Sequence, residues 1–360
     1  MTESDPTRVV VGLSGGVDSS AAASLLVEQG FDVVGITLKV WPQDCVSRAE
    51  DKCCGPQAVM DARSVADKLG IPYYLIDESK EFQRDVIDYF AAEYKAGRTP
   101  NPCVMCNEKL KFGNLINRAK KLGARYVATG HYARLEERDG RTVMLRGRDV
   151  RKDQTYFLFS LGQEQLSHMM FPLGELQKAE TREVARCVSL KTAEKQESQE
   201  ICFVPDKDYK KFLTTAGLVE EHQGEIVDTR GQVLGHHDGI EFYTIGQRKG
   251  LGISSPTPLY VVELDPENNR VVVGEEGMLL RSEFRIDRCN WIPFEKLEGP
   301  IEVSAAIRYN HPGAAATVEP AEDGRAIVRL HEPQRAVTPG QACVFYQDDL
   351  VVGGGWIMRH

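Results

Sequence analysis

The sequence lacks a long apolar run and a secretory leader. The apolar stretch near its start, 21–27, is far shorter than the about 20 residues that a membrane-spanning helix needs. Residues 1–6 are acidic and polar, whereas a signal peptide would begin basic and continue apolar. We therefore expect a cytoplasmic protein with no membrane partner. Short-period repeats and long charge blocks are also missing, which excludes collagen, coiled coils and disordered tails.

An excess of basic charge is missing as well. The chain has 44 Lys and Arg against 53 Asp and Glu, a net charge of −9, which argues against a non-specific nucleic-acid coat. The average conceals a basic stretch, because residues 109–152 contain 13 Lys and Arg but only 4 Asp and Glu. Such a stretch is often only a solvated face, but it could also bind a polyanion.

The order of sequence patterns predicts an α/β domain followed by β structure. With 360 residues, 42% of them apolar, the chain is long enough for more than one core. Strand and helix patterns alternate through the first 200 residues, which predicts a doubly wound, mostly parallel sheet over 1–210. The predicted strands are 8–12, 32–38, 73–76 and 126–129, and the predicted helices are 19–29, 56–69 and 81–95. Ligands bind beyond the carboxyl ends of such strands, so the loops from Leu13, Thr37 and Thr129 should face one site.

After residue 210 short β-rich segments are separated by turn residues. Residues 259–264 and 270–273 flank such a turn and predict a hairpin. We predict two small β domains, a central one over 211–277 and a C-terminal β-barrel over 278–360.

The first strand leads into a glycine-rich loop with the features of a phosphate site. Gly15 and Gly16 allow positive φ and close approach of backbone N–H groups to an anion, and Ser14 and Ser19 add hydroxyl donors at a helix start. Asp18 stands where γ-phosphoryl transfer would need a lysine, and it would be tolerated beside phosphates mainly with Mg²⁺. The alternative is a simple strand-to-helix turn with Asp18 or Ser19 as N-cap.

Two cysteine-bearing segments indicate sulfur chemistry. Pro100 and Pro102 should exclude helix and hold their segment extended, so that Cys106 begins the following basic helix, where the pKa of its thiol is lowered. Cys202 lies in a loop beside an apolar run. Two thiols from distant segments beside a phosphate site predict one nucleophile and one sulfur carrier.

Other interpretations of the nine cysteines remain open. Cys103 and Cys106 could bind structural zinc if Cys187 or the Cys53–Cys54 pair supplied further ligands, although the spacing fits no standard zinc pattern. For Cys45, Cys289 and Cys343 a buried thiol is the better interpretation, and the vicinal pair 53–54 has no role that we can assign.

The glycine loop resembles the Ser-Gly-Gly-x-Asp-Ser signature of the ATP pyrophosphatase (PP-loop) superfamily, whose members adenylate a substrate oxygen and release pyrophosphate. Together with further motifs it resembles the bacterial-type tRNA-specific 2-thiouridylase family over nearly the whole chain. Those motifs lie at 98–107, 128–132, 152–157, 201–203 and 243–250. The resemblance implies ATP-dependent replacement of oxygen by sulfur at C2 of the wobble uridine in tRNAs for Lys, Glu and Gln. It also implies a cysteine desulfurase or relay protein as sulfur source, ATP with Mg²⁺ as cofactor, and a transient disulfide between the two catalytic thiols.

The same resemblance assigns roles residue by residue. It implies Cys106 as nucleophile and Cys202 as persulfide carrier. The ATP-binding positions that it implies are Gly12, Leu13, Ser14, Gly15, Gly16, Val17, Asp18, Ser19, Leu38 and Gly130, although Leu38 would serve equally well as a core leucine. The tRNA-contacting positions that it implies are Asn101, Pro102, Cys103, His131, Lys152, Asp153, Gln154, Arg308, Tyr309 and Gln341.

One departure from the family pattern leaves a second mechanism open. Better-known members have Asp where this chain has Cys103, so a general base at that position is in doubt. Three thiols, Cys103, Cys106 and Cys202, could instead hold a [4Fe–4S] cluster. Two other functions are a PP-loop ligase or amidotransferase with a small-molecule acceptor, and a zinc-stabilised RNA-binding module with a degenerate nucleotide loop. The ligase or amidotransferase does not explain the pair Cys106 and Cys202, and the RNA-binding module predicts stoichiometric zinc and no AMP production.

Overall fold

A computed structural model of the chain describes residues 6–40, 55–195 and 201–359. The chain divides into two units, the first containing 1–86, 103–205 and 349–351, and the second containing 87–102, 206–348 and 352–360. Cys45, Cys53 and Cys54 lie outside the described residues, so the interpretations that involve them stay predictions.

The first unit is built on a five-stranded parallel sheet, which confirms the predicted fold class. The strand order is β3-β2-β1-β4-β7, and every neighbouring pair runs parallel. The strands are β1 (Arg8–Gly12), β2 (Asp32–Lys39), β3 (Tyr73–Asp77), β4 (Tyr126–Ala128) and β7 (Met169–Met170). Helices α1 (Val17–Glu28), α2 (Pro56–Leu69) and α8 (Lys178–Cys187) belong to the same unit. Val9, Val10 and Val11 have no exposed surface, as expected for a central strand covered on both faces.

Two further helices of the α/β region contain π-helical segments. The predicted helix over 81–95 is observed as α3 (Ser79–Phe82), a π segment (Gln83–Asp88) and α4 (Tyr89–Lys95). The next helix consists of α5 (Pro102–Met105), a π segment (Cys106–Asn114) and α6 (Leu115–Lys121). The remaining elements up to residue 205 are the hairpin β5 (Ala133–Arg138) and β6 (Arg141–Arg146), the 3₁₀ turns Thr155–Phe157 and Lys191–Glu194, and α7 (Gln163–Leu166).

The prediction that Pro102 excludes helix was wrong. Pro102 is the first residue of α5, where a missing N–H breaks no hydrogen bond and the fixed φ of proline suits the helix. Cys106 therefore does not begin the helix but follows its first turn, at the start of the π segment. Only the residues before Pro102 are non-helical, as their position ahead of a proline favours.

The second unit contains the β structure predicted after residue 210. Its first sheet has the order β10-β11-β8-β9 and includes the predicted hairpin, β10 (Tyr260–Asp265) with β11 (Arg270–Gly274). The next six strands run β12-β15-β14-β13-β16-β17, and β12 also pairs with β17, so this sheet closes into a barrel. The other elements are α9 (Tyr209–Thr215), β8 (Gly224–Asp228), β9 (Val233–His237), β12 (Leu280–Trp291), β13 (Ile301–Ala306), β14 (Ala314–Pro320), β15 (Ala326–Arg335), β16 (Ala342–Gln347) and β17 (Leu350–Ile357). Within 6–40, 55–195 and 201–359, no helix is long and apolar enough to cross a membrane.

Candidate active site

The loop between β1 and α1 has the shape that a phosphate cradle requires. Gly15 has φ +70°, and a Cβ on this residue would lie 2.2 Å from the carbonyl oxygen of Ala58 in α2. Only glycine fits such a position without strain. Gly16 was also expected to allow positive φ, but it has φ −97° and serves as the N-cap of α1. The helix therefore starts at Val17, two residues before the predicted start, and Asp18 lies in its first turn.

Hydroxyl groups hold the loop in place. The backbone N–H of Ser14 donates to Oγ of Ser19 at 3.1 Å, and Ser19 Oγ donates to the carbonyl of Gly16 at 3.2 Å. Thr37, at the end of β2, donates from Oγ1 to the carbonyl of Leu13 at 2.6 Å. These bonds fix the loop against the neighbouring strand before any anion arrives, so little further ordering is needed for binding.

The three predicted loops start at the same sheet edge, because β1, β2 and β4 are parallel neighbours. Gly130 follows β4, and a Cβ on it would lie 2.6 Å from the backbone N of Ser19, so this loop abuts the first turn of α1. Leu38 is partly exposed beside Ile76 at the ends of β2 and β3. A partly exposed leucine at this edge is available to a ligand, unlike a fully buried core leucine.

Two lysines that the sequence reasoning missed reach the loop from distant positions. Nζ of Lys178, the first residue of α8, lies 2.6 Å from Oδ1 of Asp18. Nζ of Lys195 lies 3.1 Å from the carbonyl oxygen of Gly15 and 2.6 Å from Oδ2 of Asp61. Both ammonium groups add positive charge to a loop that carries none of its own. The one sequence signal was weak: a lysine at a helix start opposes the helix dipole and therefore needs another partner.

A tyrosine links Asp18 to the loop that follows β4. The hydroxyl of Tyr132 donates to Oδ1 of Asp18 at 3.1 Å and lies 2.9 Å from Oγ1 of Thr181. Nζ of Lys178 also lies 5.6 Å from the centre of the Tyr132 ring, within the range of a cation–π contact. Asp18 is thus fixed by two partners, neither of them close to it in the chain.

The helix that bears Cys103 and Cys106 is anchored by buried side chains. Both thiol residues are partly exposed, while Val104, Leu110 and Phe112 are fully buried. The helix also contacts the phosphate loop's strand, because a Cβ on Gly12 would lie 3.4 Å from Cδ2 of Leu115. The carboxyl-terminal part of this helix therefore packs on the strand that leads into the loop.

Cys202 is held in a turn by its neighbour in the chain. Phe203 is buried and packs edge-to-face on Phe82 with ring centres 5.7 Å apart. Phe82 is the last residue of α3, and α3 also contacts the π segment that starts at Cys106. Both thiol-bearing segments therefore pack against the same short helix.

The predicted tRNA-contacting residues of the first unit lie next to one another. The ring of His131 contacts Phe112 of the thiol-bearing helix at 5.6 Å between centres, and its Nδ1 lies 2.7 Å from Oγ1 of Thr129. Burial and the nearby ammonium of Lys111 hold the pKa of His131 well below its usual value, so the ring is neutral at neutral pH. Oε1 of Gln154 accepts the backbone N–H of Tyr132 at 3.1 Å, which places the 152–154 turn beside His131.

Asp153 has a mainly internal set of partners. Its carboxylate accepts the N–H of Gly147 at 3.1 Å and the hydroxyl of Thr155 at 2.8 Å, and burial raises its pKa. Arg146 forms an ion pair with it at 3.3 Å. Asp153 is thus equipped to shape the turn that carries Lys152 and Gln154.

The remaining predicted tRNA contacts belong to the second unit. Gln341 donates from Nε2 to the carbonyls of Thr99 and Pro100 at 3.0 and 3.2 Å, and so holds the segment that ends in Asn101 and Pro102. Asn101 and Pro102 are buried. Arg308 and Tyr309 are exposed on the barrel domain.

Among the other described cysteines, Cys289 and Cys343 were interpreted as buried thiols, and the structure agrees with this interpretation. Cys343 is fully buried and Cys289 partly so, and burial raises the pKa of both thiols, that of Cys289 to about 12. Cys187 is exposed. Among the described residues, no group of three or more His, Cys, Asp or Glu is arranged to hold a metal ion. Neither a cluster held by Cys103, Cys106 and Cys202 nor zinc at Cys103, Cys106 and Cys187 is supported.

Comparison with known proteins gives three family models that match in succession. They are described as a tRNA methyl transferase HUP domain over residues 7–206, a tRNA methyl transferase PRC-barrel domain over 210–275, and an aminomethyltransferase beta-barrel domain over 281–357.

Curated relatives match over nearly the full length. The tRNA-specific 2-thiouridylase MnmA of Clostridium perfringens is 51% identical over 351 residues, which are 97% of this chain and 98% of that protein. The tRNA-specific 2-thiouridylase MnmA 1 of Thermoanaerobacter pseudethanolicus is 51% identical over 356 residues, 98% of each chain. The tRNA-specific 2-thiouridylase MnmA of Moorella thermoacetica is 51% identical over 351 residues, 97% of this chain and 98% of that protein. Each of these relatives thus shares about half of its residues with this chain along nearly its full length.

Proposed function

The chain belongs to the tRNA-specific 2-thiouridylase family and is an ATP-using tRNA sulfurtransferase, and from this premise we propose its substrate, its two chemical steps and the residue that performs each. The substrate is the wobble uridine of tRNAs for Lys, Glu and Gln, and the product is 2-thiouridine. The observation that carries the proposal is the run of contacts from Asp18 through Tyr132, His131 and Phe112 to the helix of Cys106. These contacts connect the glycine loop to the helix that bears Cys106.

In the first step, O2 of the uracil attacks the α-phosphorus of ATP and pyrophosphate leaves. Gly15, Gly16 and the first turn of α1 bind the phosphates through backbone N–H groups, and Lys178 and Lys195 offset the phosphate charge. Leu38 and Gly130 border the space for the nucleoside. ATP enters as its Mg²⁺ complex, and the carboxylate of Asp18 is the acidic group of the loop that can approach the ion. An adenylated oxygen is a good leaving group, whereas the carbonyl oxygen of uracil is not.

In the second step, the terminal sulfur of a persulfide on Cys202 attacks C2, and AMP leaves with the former O2. The thiolate of Cys106 attacks Sγ of Cys202, so the sulfur–sulfur bond breaks and its electron pair stays on the sulfur now attached to C2. The alternative order, in which Cys106 first releases hydrosulfide that then attacks C2, gives the same products. Either way a Cys106–Cys202 disulfide remains, and a cellular dithiol must reduce it before the next cycle.

We assign tRNA contacts to individual residues. His131, Lys152 and Gln154 in the first unit contact the anticodon arm, as do Arg308 and Tyr309 of the barrel. Asn101, Pro102 and Cys103 meet the flipped base. We propose the domain division 1–210, 211–277 and 278–360, and a cysteine desulfurase or a relay protein that recharges Cys202.

The test is thiolation by the purified full-length protein. It is incubated with ATP, Mg²⁺, a persulfide donor as the sulfur source, and an unmodified transcript of tRNA for Lys. We expect AMP to accumulate and a retarded band to appear on a mercury gel. A transcript with cytidine in place of the wobble uridine should give neither.

Matched cysteine variants assign the two thiols. Cys106→Ser and Cys202→Ser should each lower thiolation from a persulfide donor by at least a hundredfold, because each removes a sulfur that forms or breaks a bond. Cys187→Ser removes an exposed thiol elsewhere and should have no effect. Wild-type thiolation by either catalytic variant would overturn the assignment. AMP formation without thiolation of any tRNA would favour a small-molecule acceptor instead.

A further inference from the structure

The π segment that starts at Cys106 is held by a side chain from another part of the first unit. Nε2 of Gln165, in the short helix α7, lies 3.0 Å from the carbonyl oxygen of Phe112 and 3.3 Å from that of Glu108. These two carbonyls are one turn apart inside the π segment. Oε1 of the same amide accepts the N–H of Gly162 at 3.1 Å. If the amide were flipped, its oxygen would face two carbonyl oxygens and no hydrogen bond could form. The partners therefore fix this orientation of the amide.

A π-helical turn contains one more residue than an α-helical turn and has poorer hydrogen-bond geometry. Such turns persist where surrounding contacts hold them, and they are frequent at functional sites. The carboxyl-terminal end of this helix is fixed, because Leu115, Ile116 and Ala119 are buried. If the wide turns relaxed to α geometry, the residues before them would rotate about the helix axis relative to that fixed end. Cys106 is the residue at which the π segment begins, so its direction depends on the wide turns.

A second contact supports the same part of the helix. Nδ2 of Asn107 donates to the carbonyl of Phe157 at 3.0 Å, in the 3₁₀ turn that follows the 152–154 residues. Asn107 is 3% exposed and directly follows Cys106. The helix around the thiol is therefore held by a hydrogen bond from Asn107 to the turn at 155–157 and by two hydrogen bonds from Gln165.

We propose that Gln165 is a positioning residue for Cys106: its amide holds the π turn over 108–112, and that turn sets the direction in which the thiol points. The proposal rests on the role of Cys106 in the proposed function. Gln165 itself contacts neither ATP nor the target base. Its effect is on the sulfur step, and binding of ATP and adenylation of the base proceed without it.

The test uses Gln165→Glu and a matched control. Glutamate keeps the oxygen that accepts the Gly162 N–H but removes both donors and turns a negative oxygen toward two carbonyls. Gln163 lies in the same four-residue helix and donates its amide to the carbonyl of Thr142 at 2.8 Å, in β6. Gln163→Glu is therefore the same chemical change at an amide that donates to β6. Gln165→Met removes the same donors without adding charge, and methionine has a similar shape. Comparing the two variants therefore distinguishes the effect of the lost donors from the effect of the added charge.

Three measurements distinguish positioning from a loss of folding. For Gln165→Glu and Gln165→Met we expect the kcat of thiolation to fall at least tenfold, with the KM values for ATP and tRNA changed less than twofold. Pyrophosphate release in the first turnover should stay within twofold of wild type. We also compare the rate at which iodoacetamide alkylates each thiol over the range from about pH 6 to about pH 9. In the Gln165 variants the rate at Cys106 should differ at least threefold from wild type, while the rate at Cys187 should not. Gln163→Glu should match wild type in all three.

The outcomes separate this proposal from the proposed function. If Cys106→Ser abolishes thiolation but both Gln165 variants behave as wild type, the positioning role is wrong and the proposed function stands. An equal loss in Gln165→Glu and Gln163→Glu would assign the effect to helix α7 as a whole and overturn the positioning role. If Cys106→Ser is fully active, the proposed function fails, whatever the Gln165 variants do.

Discussion

Nζ of Lys178 lies 2.6 Å from Oδ1 of Asp18 although the two residues are 160 positions apart in the chain. The ion pair is largely shielded, with 12% of the lysine side chain and 27% of the aspartate side chain exposed. Asp18 faces the place where the phosphates of ATP are expected, and an uncompensated carboxylate there would repel them. Lys178 therefore supplies at a distance the positive charge that other phosphate loops encode within the motif.

Lys178→Met should weaken ATP binding by about tenfold to a hundredfold, the effect of losing a hydrogen bond to a charged group beside an anion. Isothermal titration with ATP and Mg²⁺ in the absence of tRNA measures it. Lys178→Arg should restore part of the affinity. The matched control is Lys191→Met, an exposed lysine of the 191–194 turn, which should bind ATP as wild type does. An unchanged affinity for ATP in Lys178→Met would contradict a role of Lys178 beside the phosphates.

Gly15→Ala should destabilise the protein and abolish ATP binding. A non-glycine residue at φ +70° costs about 1–2 kcal/mol, and its Cβ would lie 2.2 Å from the carbonyl oxygen of Ala58. Gly30→Ala is the control, because Gly30 has φ +82° but nothing lies within 4 Å of a Cβ there. Urea unfolding should therefore show a larger loss of stability for Gly15→Ala. Equal losses in the two variants, with ATP binding intact, would show that the contact with α2 is unimportant.

His131 should make stability depend on pH on the acid side of neutrality. Its pKa in the folded protein is well below the usual 6.5, mainly because of burial. The unfolded chain takes up the proton first as pH falls through about 6.5, so the free energy of unfolding drops below that pH and the contribution is fully present above it. In His131→Phe, which keeps a ring between Phe112 and Phe171, the drop in unfolding free energy from about pH 7.5 to about pH 5.5 should be smaller. An identical drop in both proteins would refute a neutral, buried imidazole.

Arg308→Ala should weaken tRNA binding for all tRNA sequences alike. Arg308 is exposed on the barrel. Removing a lysine or arginine that contacts only phosphate reduces the slope of log binding constant against log salt concentration by about one. Filter binding at a series of salt concentrations measures the slope. Arg325→Ala removes an equally exposed arginine of the same barrel, in the turn between β14 and β15, and should leave it unchanged. The same slope for wild type and Arg308→Ala would exclude a phosphate contact.

Sequence patterns predicted the features that local chemistry determines. The strand, glycine loop and helix of residues 8–28 were identified because the signals are contiguous: a β-branched run, two glycines and an alanine-rich helix. The hairpin of β10 and β11 was identified from its turn residues for the same reason. The roles assigned to individual site residues remain predictions.

Other features depend on contacts that a sequence does not display. Lys178 and Lys195 look like ordinary helix-end lysines until the chain folds and brings them to Asp18 and Gly15. The π segment has no local signature, because its register is set by partners such as Gln165, more than fifty positions away. The error at Pro102 had a different origin. Proline excludes helix from the residue before it, but its own position is an accepted first helical residue.

The division of the chain into units has a practical consequence for anyone who tries to dissect the protein. The boundary at 102/103 passes through the cysteine motif itself, and residues 349–351 return to the first unit, where Leu350 pairs with Leu145 of β6. A fragment that stops near residue 205 would lack this strand partner, and one that starts there would lack 87–102. A cut near residue 205 therefore leaves both units incomplete, and point substitutions in the intact polypeptide are the appropriate genetic tool.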